Sequence, residues 1–430
     1  MKIVILSQYY PPEVGAPQGR LSELAKRFVA RGHHVSVVTA MPNYPSGRIH
    51  DGYGGLLKRE EQNGVSIVRT YIYPTQQTAT LPRLLNYISF AASASLLAPW
   101  FIGAADYLLV ESPPLFLGPA GWWLSLRCGA RFIFNVSDLW PESAVRLGVL
   151  DRRSRAFRAA AALEAFCYRR AWLVTGQSRS IIADIRTRFP ELPTFHVSNG
   201  VDTQRFGPAR GTPEVRRELA DLSDFVVLYA GLHGLAQGLD QVLAVASRFS
   251  ADRSVRFVLV GDGPEKSRLL AEARAQGLMN VSFLPTRPFS DMPALFASAD
   301  IVIVSLKTEI PGAVPSKLYE AMASGRPTVL VASGEAADIV REHGAGIVVR
   351  PGDIDALAQA ILDLRLNRDF AQECGRRGRR AAEEHFDRNT ICDRFIDYLE
   401  ARTAALAHRD VQALCSDADA QPDSRTWKRN

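Results

Sequence analysis

Residues 301–327, IVIVSLKTEIPGAVPSKLYEAMASGRP, read as a strand, a proline-rich turn and a helix in one stretch. Ile301–Leu306 is a short, mostly apolar run interrupted only by Ser305, the pattern of a strand buried on both faces. Ser316 is a favoured N-cap and Pro315 restricts the chain before it, so the spacing opens a helix at Ser316. Gly325 and Pro327 punctuate its end. A turn of this kind leaves four or five backbone N–H groups pointing outward, a seat for a phosphate. Lys317 falls in the first helical turn, where the dipole disfavours a cation unless an anion lies beside it. Glu320, one turn on, could reach hydroxyls next to that anion. The same residues also read as an ordinary amphipathic helix start with a solvated Lys and Glu.

Strand–helix alternation extends from this unit in both directions. Apolar runs at Val226–Tyr229, Phe257–Val260, Val281–Leu284, Thr328–Val331 and Ile347–Val349 complete one set of βα units. A second set begins at Ile3–Leu6, Val35–Thr39 and Ile67–Tyr71. It continues through Tyr107–Val110, Phe132–Val136, Trp172–Thr175 and Phe195–Val197. Between the sets, Asn199-Gly200-Val201-Asp202 with Phe206, Pro208 and Gly211 reads as a turn into a linker. The fold class is therefore α/β: two doubly wound, Rossmann-like domains, 1–206 and 207–385, facing a cleft at their strand ends. A nicotinamide site is disfavoured because the first loop is long and lacks G-x-G-x-x-G. From Asp410 the chain turns polar, and 410–430 read as a disordered tail.

Several strand-end loops carry groups suited to chemistry. Gly261-Asp262-Gly263 allows close backbone approach, as any tight turn does. His233 lies between glycines and reads as solvated. Arg287 could stack on a base or serve as a surface cation. Asp138 and Glu142 are acids among apolar and aromatic neighbours, which favours perturbed protonation or a bound hydroxyl, although Asp138 could equally cap a helix.

The chain has 430 residues, 47% hydrophobic, with a formal net charge of +6, which suits an anionic partner such as a nucleotide, a lipid phosphate or a membrane surface. Five scattered cysteines without C-x-x-C fit a reducing cytoplasm rather than a disulfide framework or zinc site. Residues 84–105 carry no charge and reach the length of a span, but Pro99, Asn86 and the small residues favour a buried helix at a membrane surface. Arg152, Arg153, Arg155, Arg158, Arg169 and Arg170 add a basic face to the same domain, which places the protein at the inner face of the plasma membrane. No nucleic-acid motif accompanies this charge.

Taken together, the motifs resemble the retaining, metal-independent GT-B glycosyltransferases of family 4 over residues 1–400. The pieces, in order, are YYPPEVGAPQGR with LAKRFVARGHHVSVVTAMPNYP, NGVDTQRF, VLVGDGPE, VSFLP, ADIVIVSL, PSKLYEAMASGRPTV and IVVRPGDIDALAQAI. The resemblance implies a UDP- or GDP-linked sugar donor held by the second domain and a lipid-linked saccharide or polysaccharide acceptor held by the first. It implies neither metal nor cofactor, and a last helical segment, 386–409, that crosses back to the first domain. By position, Glu320 corresponds to the glutamate on the donor ribose and Gly15 to the glycine approaching the donor phosphates. Gly312, Val314, Pro315 and Ser316 would face the sugar and Arg287 the base.

Two departures stand out. Gly312 replaces a second glutamate, with Glu309 out of register, and Gly231 is followed by Leu232 and then Gln237 where the family often has an arginine and a lysine. Lys317 is the expected substitute cation for the leaving diphosphate, and Asp138 the expected acceptor-side base or hydroxyl ligand. This variant is similar to bacterial surface-polysaccharide transferases of fucose or N-acetylfucosamine, the makers of O-antigen, capsule and lipopolysaccharide. Rival readings are a sugar-nucleotide 2-epimerase of the same fold and a non-catalytic sugar-nucleotide-binding partner subunit.

Overall fold

The computed structural model describes residues 1–418, apart from 14, 45 and 78. Its first sheet has strands β1 Lys2–Leu6, β2 His34–Ala40, β3 Leu57–Gln62, β4 Val65–Thr70, β5 Tyr107–Ser112, β6 Arg131–Val136, β7 Leu173–Gly176 and β8 Thr194–His196. They lie in the order β3-β4-β2-β1-β5-β6-β7-β8. The second sheet contains β9 Phe225–Ala230, β10 Val255–Val260, β11 Val281–Leu284, β12 Ile301–Ser305, β13 Thr328–Val331 and β14 Gly346–Val349. Its order is β11-β10-β9-β12-β13-β14, all parallel. Both sheets change winding direction near the middle, and the loops beyond their strand ends enclose the ligand position of doubly wound folds. Ile3, Val4, Ile5 and Leu6 are at most 2% exposed because helices cover both faces of the sheet, which is why these strands read as unbroken apolar runs.

One strand escaped the sequence. β3 (LKREEQ) pairs antiparallel with β4 at the sheet edge, and its charged, half-exposed side chains leave no apolar pattern to detect. The first helix is Ala16–Ala30, with Gly15 as its cap and Pro17 in its first turn.

Residues 84–105 form no single buried helix. Helix Thr80–Leu97 breaks at Ala98–Pro99 into a short turn of helix, Pro99–Ile102. Asn86, Phe90, Ala94 and Ala98 face the core at four-residue spacing, whereas Leu81, Leu85, Ile88 and Leu96 are exposed. Among the described residues no helix is long and apolar enough to cross a membrane.

The closing helix, Arg388–Ala418, packs on the first domain through Phe395, Ile396 and Leu399. It runs through Ala418, so the polar composition after Asp410 does not end the helix there; 419–430 lie outside the described residues. Two chain crossings join the domains and pair with each other. The Val201 N–H donates to Phe386 O and the Arg388 N–H to Val201 O, both at 2.9 Å. Arg388 also donates to the carbonyls of Asn199 and Gly200 at 2.8 Å each. A side chain at Gly200 (φ 51°) would press within 2.6 Å of Ile391.

Candidate active site

The loops after β9, β10 and β12 converge. The helix after β12 spans Ser316–Ala323, and Pro315, extended at φ −60° and ψ 130°, occupies the cap position. Ser316 is thus the first helical residue rather than the cap, and it makes no capping bond. The expected row of four or five free N–H groups is shorter too. Pro311 and Pro315 have none, the Ala313 N–H bonds Ile310 O, and the Leu318 N–H bonds Pro315 O. The N–H groups of Ser316 and Lys317 remain at the helix start. Val314 is 8% exposed and packs into the second domain's core, so it can offer a ligand only backbone.

Lys317 Nζ donates to the Tyr229 hydroxyl at 2.7 Å and lies 4.1 Å from that ring's centroid. The Tyr229 hydroxyl passes the bond on to Leu232 O at 2.6 Å. Burial pushes the Lys317 ammonium down to about 8, with Glu320 opposing the shift. Gly231 (φ 140°) is what admits the lysine: a Cβ there would stand 2.7 Å from Nζ. A second lysine, Lys266, is tied to Gly261 O at 2.6 Å. Neither forms a salt bridge among the described residues; both lysines bond only uncharged oxygens.

His233, expected in solvent, is fully buried between Tyr229 and Phe283, and neither ring nitrogen has a partner. Burial, then Lys266 and Lys317, lowers its pKa to about 4, so it is neutral at pH 7. Glycines hid this burial. Gly263 lets the next loop fold directly over the His233 backbone, where a Cβ would come within 2.4 Å of its carbonyl oxygen.

Three other expected donor residues are placed differently. Glu320 is half-buried, its carboxyl pKa raised by burial, against Arg388 and Lys317, which lower it. Arg287 pairs with Glu218 at 2.6 Å. Gln237 closes a short 3₁₀ turn, and its buried Oε1 has no partner.

Across the cleft, Asp138 follows β6, accepts a hydrogen bond from Ser143 and has its pKa raised by burial. Beneath it lies a network that the sequence did not announce. Arg20 and Glu111, 6% and 2% exposed, pair at 2.7 Å. Glu111 also accepts from Asn135 at 2.7 Å and from Ser137, and Arg20 donates to Asn199 at 2.8 Å. Glu111 sits at the end of buried strand β5, level with Asn135 in the register. A charge at that position was the available signal; Arg20 gave none, since it reads as one more polar residue on a helix.

The two domains touch at the mouth of the cleft. Gly312 (φ 77°) lies against the start of helix Arg179–Arg188: a Cβ there would fall 2.4 Å from Ile181 Cγ1. Glu335 reaches across to the same turn, accepting from the Arg179 and Ser180 N–H groups at 2.8 and 2.7 Å.

This architecture is shared with solved glycosyltransferases. Sucrose-phosphate synthase from Thermosynechococcus elongatus superposes with a TM-score of 0.74 at 18% identity, over 94% of this chain and 99% of that one. Anabaena HepE, in complex with UDP and glucose, gives 0.70 at 21%, over 93% and 100%. The fold is GT-B. Residues 15–200 match the family described as glycosyl transferase 4-like domain, and residues 212–381 match glycosyl transferases group 1. The two matches fall one on each domain and support a glycosyltransferase. The chain is similar to WcaI of Escherichia coli K12, described as a colanic acid biosynthesis glycosyl transferase, at 28% identity over 92% of this chain and 99% of that protein.

Proposed function

We propose that the protein moves a deoxy- or N-acetylamino-hexose from a nucleoside diphosphate sugar to a lipid-diphosphate-linked saccharide, with retention of configuration. The observation that carries this reading is Lys317: a half-buried cation at a helix start, bonded to the Tyr229 hydroxyl, admitted by Gly231 and in no salt bridge among the described residues. When the bond from anomeric carbon to phosphate oxygen breaks, the electron pair stays on the diphosphate. Lys317 and the N–H groups of Ser316 and Lys317 stabilise that charge where it develops. The sugar becomes oxocarbenium-like and is attacked on the face the diphosphate leaves, with the acceptor proton passing to the departing phosphate. With a lysine as the cation, no divalent metal is needed. Asp138 holds the acceptor hydroxyl by accepting a hydrogen bond from it, and Glu320 holds the ribose. HepE's bound UDP and the name of WcaI support a nucleotide-sugar donor and a surface-polysaccharide product.

The test is incubation with UDP- and GDP-sugars and a polyprenyl-diphosphate-linked saccharide. Transfer is the expected result. Isomerisation of the donor would instead favour the epimerase, and binding without turnover the non-catalytic subunit.

The acceptor's lipid anchor fits the first domain's exposed apolar strip. Leu85, Ile88, Leu96, Trp100 and Trp123 line it, and Trp123 is bonded to Ser95 O, which joins two helices into one surface. Arg127 stacks over Trp123 and Arg59 over Phe101 at its border, suiting an anionic membrane. Leu96→Glu/Trp100→Glu is expected to abolish co-sedimentation with phosphatidylglycerol vesicles. Undiminished sedimentation of the double variant would remove the membrane reading.

A further inference from the structure

The loop leading into the Lys317 helix presents no side chain to the cleft at Gly312, because none fits there while the domains meet. A Cβ at 312 would stand 2.4 Å from Ile181 Cγ1 and 3.3 Å from Ser178 Oγ. The carboxylate found at this spot comes from the neighbouring strand end instead. Glu335 opens helix Glu335–His343 just after β13, turned into place by Gly334 at φ 69°. Its Oε1 accepts from the Arg179 N–H at 2.8 Å, and its Oε2 accepts from the Ser180 N–H at 2.7 Å and the Ser180 hydroxyl at 2.6 Å. Ser180 Oγ is 3.3 Å from Ser178 Oγ, the atom that Gly312 abuts. The loops themselves adjoin, since Glu309 bonds Ser333 at 3.3 Å. Gly312 and Glu335 therefore meet one four-residue turn of the opposite domain, at the C-terminal ends of adjacent parallel strands, where ligands of such sheets bind.

A capping carboxylate inside its own helix would need no comment, but this one crosses between domains. Three hydrogen bonds occupy three of its roughly four lone-pair sites, leaving one for an outside donor. A sugar hydroxyl or acetamido N–H is such a donor, whereas a bare diphosphate has none to give.

Building on the nucleotide-sugar reading, we propose that Glu335 is the sugar-recognising carboxylate of the donor site, held in place by the first domain so that the sugar is read only when the cleft is closed. It is a specificity-determining residue, separate from the charge that Lys317 supplies to the diphosphate.

Calorimetry with UDP, GDP, UDP-glucose, UDP-N-acetylglucosamine, GDP-mannose and GDP-fucose tests this. The wild-type chain is expected to bind at least one sugar nucleotide more tightly than its parent diphosphate. Glu335→Gln should weaken that sugar nucleotide by about tenfold or more, the scale of one hydrogen bond to a charged group, and leave the diphosphate unchanged. Ser180→Ala removes one bond to Glu335 but keeps the carboxylate, so it should lose much less. Equal weakening of sugar nucleotide and diphosphate, a Ser180→Ala loss as large as that of Glu335→Gln, or no loss at all would each overturn the proposal. Glu335→Asp, which keeps the charge and shortens the reach, should also lose discrimination and serves if the Gln variant folds poorly. Failure of the wild-type chain to bind any sugar nucleotide is a different result, and it would overturn the glycosyltransferase reading itself.

Discussion

Lys317→Ala lowers turnover by about two orders of magnitude or more, the scale of removing one preorganised donor from a developing anion. Among the described residues the side chain is held by the Tyr229 hydroxyl and forms no salt bridge, and Arg388 remains as a cation for Glu320, so truncation removes charge without breaking an ion pair. The wild-type enzyme should show the same dependence in its pH profile. Because burial sets the Lys317 pKa near 8, the ammonium is present below that pH and lost above it. kcat/KM, which reports the free enzyme, therefore falls on an alkaline limb centred near 8. A bound diphosphate favours the charged form, so the limb in kcat lies higher. Rates measured from pH 6 to 10 check both statements. A variant with near-wild-type turnover, or one that keeps the alkaline limb, would remove Lys317 from the chemistry.

Glu111→Leu is expected to be the most destabilising single change in the first domain. It leaves Arg20 as a buried cation without its anion, and breaking a buried pair from one side costs about 3–5 kcal/mol. At about 2–4 °C per kcal/mol for a domain of this size, the first domain's melting temperature should drop by roughly 10 °C. Removing both charges together, as Arg20→Met/Glu111→Leu, should recover most of that loss, since an apolar replacement of a buried pair is often neutral. Scanning calorimetry on the three proteins decides the matter. A single variant no less stable than the double would show that the ion pair adds nothing.

Legibility in the sequence followed burial. Strands covered on both faces, such as Ile3–Leu6 and Ile301–Val304, are apolar along their length, and they stood out without any partner in view. Edge strand β3 has no such requirement and passed unnoticed. The place of Lys317 and Glu320 in the first turns of a helix was legible, because the turn and its prolines fix where that helix starts. Arg287 was not. Arg287 lies in the loop after β11 and its partner, Glu218, on a helix 69 residues away, and the ion pair decides where its guanidinium goes.

The order of βα units, the two-domain division and the proline-rich turn after Ile301–Leu306 were determined by the sequence itself, because periodicity, caps and glycines act over a few residues. Tertiary structure alone decided the rest. It moved the cap from Ser316 to Pro315, turned Val314 into the core and buried His233 beneath Gly263. It also joined Arg20 to Glu111 and brought Glu335 to the turn that Gly312 leaves open. Each of these depends on which chain segment packs against which, and that is settled by the whole folded surface rather than by any local spacing.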